Sequence, residues 1–159
     1  MNKIIIGKYV NTHGIKGEIR IKSNFKFKER VFKVGSEIII DKPYIIKSYR
    51  VHKGYDMVTL EGINSINDIL NLKNSLVYIE RDKYLSLSDY LDEDLVGFSI
   101  LCNSEKLGIV SNIIYMNNKK LIEVNDILVP FELIENIDFK KRIITVSYLE
   151  GLLWSELIF

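Results

Sequence analysis

The sequence predicts a mainly all-β protein built from two small barrel-like domains with one or two short helices. Three observations predict it. Apolar and polar residues alternate with period two in several short segments, most plainly in Glu18-Ile19-Arg20-Ile21-Lys22, the pattern of a strand with one buried face. Turn-forming residues separate these segments at short intervals. Near residue 83 both the rhythm and the sign of the charge change.

In chain order, the first half should hold strands at Lys3–Val10, Glu18–Lys22, Ser36–Asp41, Tyr44–Val51, Met57–Leu60 and Leu76–Glu80. Six such strands suffice to close a small barrel. Asn64 followed by Ser65-Ile66-Asn67-Asp68-Ile69-Leu70 combines capping residues with helical apolar spacing and predicts one short helix before the last strand. Residues 81–89 lose the strand rhythm and gain turn formers, which places a first domain over 1–82, a linker over 83–89 and a second domain over 90–159. The second domain should hold strands at Phe98–Cys102, Gly108–Tyr115, Lys120–Val124, Asp126–Pro130 and Arg142–Val146. Asn117-Asn118 reads as a hairpin turn, because Asn tolerates positive φ. Glu150–Leu157 predicts a short closing helix with Leu152, Leu153, Trp154 and Leu157 turned inward. Pro130-Phe131 should end a strand and plug the core, and Gly97, Gly108 and Gly151 are expected at turns or bulges.

With 159 residues, 47% of them hydrophobic and 27% charged, the chain has enough apolar material for folded cores. Its apolar runs, such as Ile4–Ile6 and Ile38–Ile40, are far shorter than the roughly 18 residues of a membrane span. The amino terminus lacks the roughly 7 to 15 apolar residues of a secretory signal, and the single cysteine, Cys102, can form no internal disulfide. A cytoplasmic protein with no membrane crossing is expected, with Cys102 as a small buried apolar residue. Ile, Lys and Asn are abundant while Ala and Gln are absent, a compositional bias that lowers the weight of any single lysine.

The net charge of +1 conceals an asymmetry. Residues 1–83 carry 12 Lys and 4 Arg against 9 Asp and Glu, net +7, whereas residues 84–159 carry 5 Lys and 1 Arg against 12, net −6. A basic front half attracts a polyanion and an acidic back half attracts a basic partner. Solvated strand faces would also explain the charges.

No catalytic constellation emerges. Two histidines, His13 and His52, and one cysteine match no zinc spacing. Gly14-Ile15-Lys16-Gly17 lacks the spacing of a phosphate loop, and the cluster Asp89, Asp92, Glu93 and Asp94 lacks that of a calcium loop. No catalytic residue, metal or cofactor is therefore expected. What remains is the turn Thr12–Gly17, whose glycines open the backbone to a partner. Lys8, His13, Lys16, Arg20 and Lys22 lie on or near one rim of it, an arrangement suited to phosphate and RNA contacts. By spacing alone, a plain tight turn whose glycines satisfy only backbone geometry is the better explanation.

The segment GKYVNTHGIKGEIRI, Gly7 to Ile21, resembles the opening signature of the RimM family of ribosome maturation factors. Asp94-Leu95-Val96-Gly97, Leu107-Gly108-Ile109-Val110, Leu128-Val129-Pro130-Phe131, Ile137-Asp138 and Glu150-Gly151-Leu152-Leu153 resemble, in order and spacing, that family's carboxy-terminal PRC-barrel. The resemblance implies a translation-factor-like six-stranded barrel followed by a PRC-barrel-like domain. It also implies a non-catalytic, monomeric factor that binds the head of the immature small ribosomal subunit, assists processing and folding of its ribosomal RNA, and contacts small-subunit ribosomal protein nineteen. Contact with that protein would fall to Tyr90, Asp94 and Leu95, although Leu91 and Asp92 stand where further aromatics are common in the family. The other readings are a PRC-barrel adaptor unrelated to ribosomes and, last, an enzyme with an unrecognised site.

Overall fold

A computed structural model describes residues 2–147. The chain divides into two compact units, Met1–Ser86 and Leu87–Phe159. The expected closing helix at Glu150–Leu157, with Trp154 and Gly151, lies outside the described residues.

The first unit contains β1 (Lys3–His13), β2 (Glu18–Lys22), β3 (Glu37–Ile39), β4 (Pro43–His52), β5 (Tyr55–Leu60) and β6 (Leu76–Glu80). They close into a barrel in the order β1-β2-β5-β4-β3-β6. Alternation decides what fills it. Ile19 and Ile21 of β2, Ile46 of β4, Val58 and Leu60 of β5, and Val77 and Ile79 of β6 are fully buried. Removal of each such side chain from water contributes about 1.5 to 3 kcal/mol. Register shifts at Tyr9/Asn11, Ile5/Gly7 and Ile46/Ser48 mark bulges that bend the long strands around the barrel.

Two helical turns cap this barrel. α1 (Lys28–Val31) is not apparent in the sequence because its four residues are too short to show a helical period. It is pinned by Asp56, only 2% exposed, whose carboxylate accepts from Lys28 Nζ at 2.8 Å and from the Tyr49 hydroxyl at 2.7 Å. Burial and the Asp56 carboxylate push the Tyr49 hydroxyl up to about 12. α2 (Arg81–Tyr84) forms where the sequence suggests the start of an irregular connection. The Tyr84 hydroxyl accepts from the Glu37 amide at 2.8 Å, and Arg30 donates to the Tyr84 carbonyl at 3.2 Å.

The helix expected at 64–70 is instead two 3-10 turns, Ile66–Asp68 and Leu70–Leu72. The cap is present, since the Asn67 amide donates to Ser65 Oγ and Asp68 reaches back to the Ser65 amide. Asn67, Asp68 and Asn71 are poor helix formers, and the segment is anchored mainly through buried Ile69.

The second unit holds β7 (Ser99–Cys102), β8 (Glu105–Met116), β9 (Lys119–Val124), β10 (Ile127–Pro130), β11 (Ile134–Asp138) and β12 (Ile143–Val146). They form one six-stranded sheet in the order β10-β9-β8-β7-β12-β11, in which β12 runs parallel to β7. Its core comprises Leu95, Phe98, Ile100, Cys102, Val110, Ile122, Val124, Val129, Ile144 and Val146. Cys102 is buried as expected, and burial pushes its thiol up. Asn117 and Asn118 take φ of 51° and 62°, the left-handed pair required by a tight two-residue hairpin. Strand β11 is hidden in the sequence because Ile134-Glu135-Asn136-Ile137-Asp138 breaks period two at a bulge. Gly108, at φ +152°, faces the Asn125 amide and Val124, which a Cβ would meet at 2.7 and 2.8 Å. Pro130 ends β10 and is buried, but Phe131 is only half-buried at the core's margin, with Lys120 Nζ 4.0 Å above its ring.

Candidate functional site

The glycine turn between β1 and β2 is less open than its sequence suggests. Gly14 is exposed and has open space where a Cβ would project. Gly17 is buried, and a Cβ there would meet Ile63 Cγ2 at 2.8 Å and the Ser65 carbonyl at 3.1 Å. The Ile15 carbonyl accepts from the Ile66 amide at 3.0 Å. One side of the turn is therefore docked on residues 63–66, and the part left free to a partner is its tip, with Lys16 exposed.

The alternation of β2 that buries Ile19 and Ile21 turns Glu18, Arg20 and Lys22 outward. Across β5, the register places Arg20 opposite Met57 and Met57 opposite Arg50 of β4, so two guanidinium-bearing residues flank a fully buried methionine. Arg50 grips Glu18 through two hydrogen bonds, Nε to Oε2 at 3.0 Å and Nη2 to Oε1 at 2.7 Å. That guanidinium holds the Glu18 carboxyl below the usual carboxylate range. Arg20 lies over the Tyr55 ring at 5.1 Å, and its buried Nε has no hydrogen-bond partner among the described residues. The rings of His13 and His52, contributed by different hairpins, are 5.6 Å apart. Loss of water around the ring, followed by the charges of Arg50 and Lys53, lowers the pKa of His52.

Of the five residues expected to face a polyanion, the structure thus brings His13 and Arg20 into one cluster and leaves Lys16 exposed at the turn. Lys8 and Lys22 stand directly opposite each other on β1 and β2 and line an adjoining groove with Ser23 and Asn24. Sequence reasoning misses Arg50, His52 and Lys53. Residues 44–51 read as a strand, and its alternation is the signal that could have flagged Arg50 as outward-facing. Its meeting with Glu18, 32 positions away, is decided by the barrel register.

In the second unit the three expected protein contacts separate. Tyr90 is half-buried on the core margin, its ring 5.4 Å from that of Phe139. Asp94 is half-buried, and its carboxylate accepts from the Leu91 amide at 2.7 Å, capping the 3-10 turn Asp92–Leu95. Leu95 is fully buried in the core and is removed from the contact set, because the apolar position closing that turn packs inward. Asp92 forms an ion pair with Lys120 and accepts from the Tyr115 hydroxyl at 3.0 Å.

Among the described residues, no group of three His, Cys, Asp or Glu stands together in a way that could hold a metal, and no helix is long and apolar enough to cross a membrane.

The family model of the RimM N-terminal domain matches residues 4–84, and that of the RimM PRC barrel domain matches residues 92–152. The chain belongs to the RimM family. Both of the family's domains are present in order, matching the two-sheet architecture. The ribosome maturation factor RimM of Staphylococcus aureus strain MRSA252 is 38% identical over 165 residues, spanning 95% of this chain and 99% of that protein. RimM of Staphylococcus epidermidis strain RP62A is 34% identical over the same span. The solution structure of the N-terminal domain of RimM from Thermus thermophilus has a TM-score of 0.48 and 17% identity, covering 55% of this chain and all of that one.

Proposed function

We propose that this RimM-family chain binds the immature small ribosomal subunit at its head, assists processing and folding of its ribosomal RNA, and works by binding rather than by catalysis. The observation that carries this reading is the full-length likeness to ribosome maturation factors, with one family domain on each of two oppositely charged units. On this reading the outward face of the first barrel, with His13, Lys16, Arg20, Arg50, His52 and Lys53, contacts ribosomal RNA. The Arg20 guanidinium, turned outward on β2, and the exposed Lys16 supply charge for phosphate oxygens. The acidic second unit docks small-subunit ribosomal protein nineteen, with Tyr90 and Asp94 near the contact, since ribosomal proteins are generally basic. The protein acts in the cytoplasm as a monomer and needs no cofactor.

Sucrose-gradient sedimentation of native lysate, with detection of this protein, tests the reading. Cosedimentation with immature small subunits and absence from mature ones is expected. Replacing Lys16 and Arg20 by Glu should weaken that association and flatten its salt dependence, by a log-log slope of about 0.7 to 0.9 for each phosphate no longer neutralised. Binding unchanged by both substitutions would refute the assignment of this face.

A further inference from the structure

Beside the arginine and histidine cluster lies a groove of about 320 Å³ at the junction of β6, β1 and β2. One cross-strand row builds its rim, since Leu76 pairs with Lys8 on β1 and Lys8 pairs with Lys22 on β2. Two ammonium groups therefore come from directly opposed positions, an arrangement that destabilises a strand pair when left uncompensated. Three other cations of this unit are matched, Lys28 by Asp56, Arg50 by Glu18, and Lys83 by Glu37 and Glu80. Lys8 and Lys22 have no such partner among the described residues.

The groove is not purely cationic. Ile5 and Leu76 line it with 53% and 41% of their surfaces exposed. Ser23 is already committed, donating to the Ile6 carbonyl and accepting from the Phe25 amide. The Asn24 side-chain amide, with both donors and an acceptor, has no partner among the described residues. Just beyond, Lys26 and Arg30 stand 5.4 and 4.4 Å from the centre of the Phe27 ring, continuing the basic surface along the chain.

We infer that this groove receives one unstacked nucleotide of single-stranded RNA, its phosphate held between Lys8 and Lys22, its base against Ile5 and Leu76, and its polar edge met by Asn24. The volume falls at the lower end of the range for small-ligand sites. RNA is favoured over an acidic peptide because the basic surface continues beyond the groove through Lys26 and Arg30 on a unit of net charge +7, which suits a backbone carrying a phosphate at every residue. A single strand is favoured because a duplex keeps its bases stacked and offers this groove only phosphate. The inference rests on the proposed RNA contact of the same face and specifies its ligand.

The test uses the full chain with fluorescently labelled single-stranded ribonucleotide hexamers of mixed sequence, a duplex RNA of equal charge, and an acidic peptide containing phenylalanine. The Lys8→Gln/Lys22→Gln variant should bind the hexamers about tenfold more weakly, with a log-log salt slope shallower by about 0.7, the value for one phosphate left without its cations. Its melting temperature should be unchanged or higher, because the opposed charges are gone, which separates weaker binding from impaired folding. Leu76→Ser should weaken hexamer binding while leaving duplex binding unaltered. Hexamer affinity unchanged in both variants, equal weakening of hexamer and duplex binding in Leu76→Ser, or preferential binding of the peptide would each overturn the inference. Sedimentation with immature subunits, measured in parallel, keeps the two conclusions apart. Cosedimentation without hexamer binding refutes only the groove, and groove-dependent hexamer binding without cosedimentation refutes only the ribosomal reading.

Discussion

Asp56 shows how a single residue ties an irregular segment to the barrel. Its carboxylate is buried yet doubly hydrogen-bonded, to Lys28 and to the Tyr49 hydroxyl. Replacing it by Ala leaves the Tyr49 hydroxyl and the Lys28 ammonium without their acceptor, and a destabilisation of about 2 to 4 kcal/mol in urea unfolding is expected. An effect within the scatter of surface substitutions would mean that α1 is held by Val31 and Phe32 alone. His52 makes a second residue-scale prediction. Its folded pKa lies below the ordinary value of 6.5, so in acid the unfolded chain takes up this proton more readily than the folded one. Stability from this site is intact above the unfolded value and declines as pH falls through it towards the folded value. Wild type should therefore lose more stability than His52→Gln between about pH 8 and about pH 5.5, read from urea midpoints. Equal declines would refute the assignment.

At the scale of elements, the β1-β2 hairpin separates two uses of glycine that look alike in sequence. Both Gly14 and Gly17 have positive φ, at 70° and 90°. Only Gly17 is also packed, against Ile63 and the Ser65 carbonyl. Gly14→Ala should cost about 1 kcal/mol through the backbone alone, and Gly17→Ala more, about 2 to 3 kcal/mol, because its Cβ would also press on Ile63 Cγ2 and the Ser65 carbonyl. Thermal or urea unfolding of the pair checks the order, and equal effects would show that residues 63–66 move aside. Strand positions such as 18–22 and 76–80 were legible because an alternating face fixes its own direction. The helical turns were not, since Lys28–Val31 and Arg81–Tyr84 are single turns held by distant partners, Asp56 and Glu37.

For the whole molecule, the division of charge between the units predicts two kinds of partner. A fragment of residues 84–159, shown to be folded by circular dichroism, should retain purified small-subunit ribosomal protein nineteen in a pull-down and release it as salt rises. A folded fragment that fails to retain it would refute the docking role proposed for the second unit. The sequence by itself determined the class, the two-part organisation and the family resemblance, because period-two patterning, turn residues and ordered motif blocks are local or linear signals. It could not bring His13 to His52 or Arg50 to Glu18, nor turn Leu95 inward and set Lys8 against Lys22. Those arrangements depend on cross-strand register, strand bending at the bulges and core packing, which join residues far apart in the chain and became definite only in the tertiary structure.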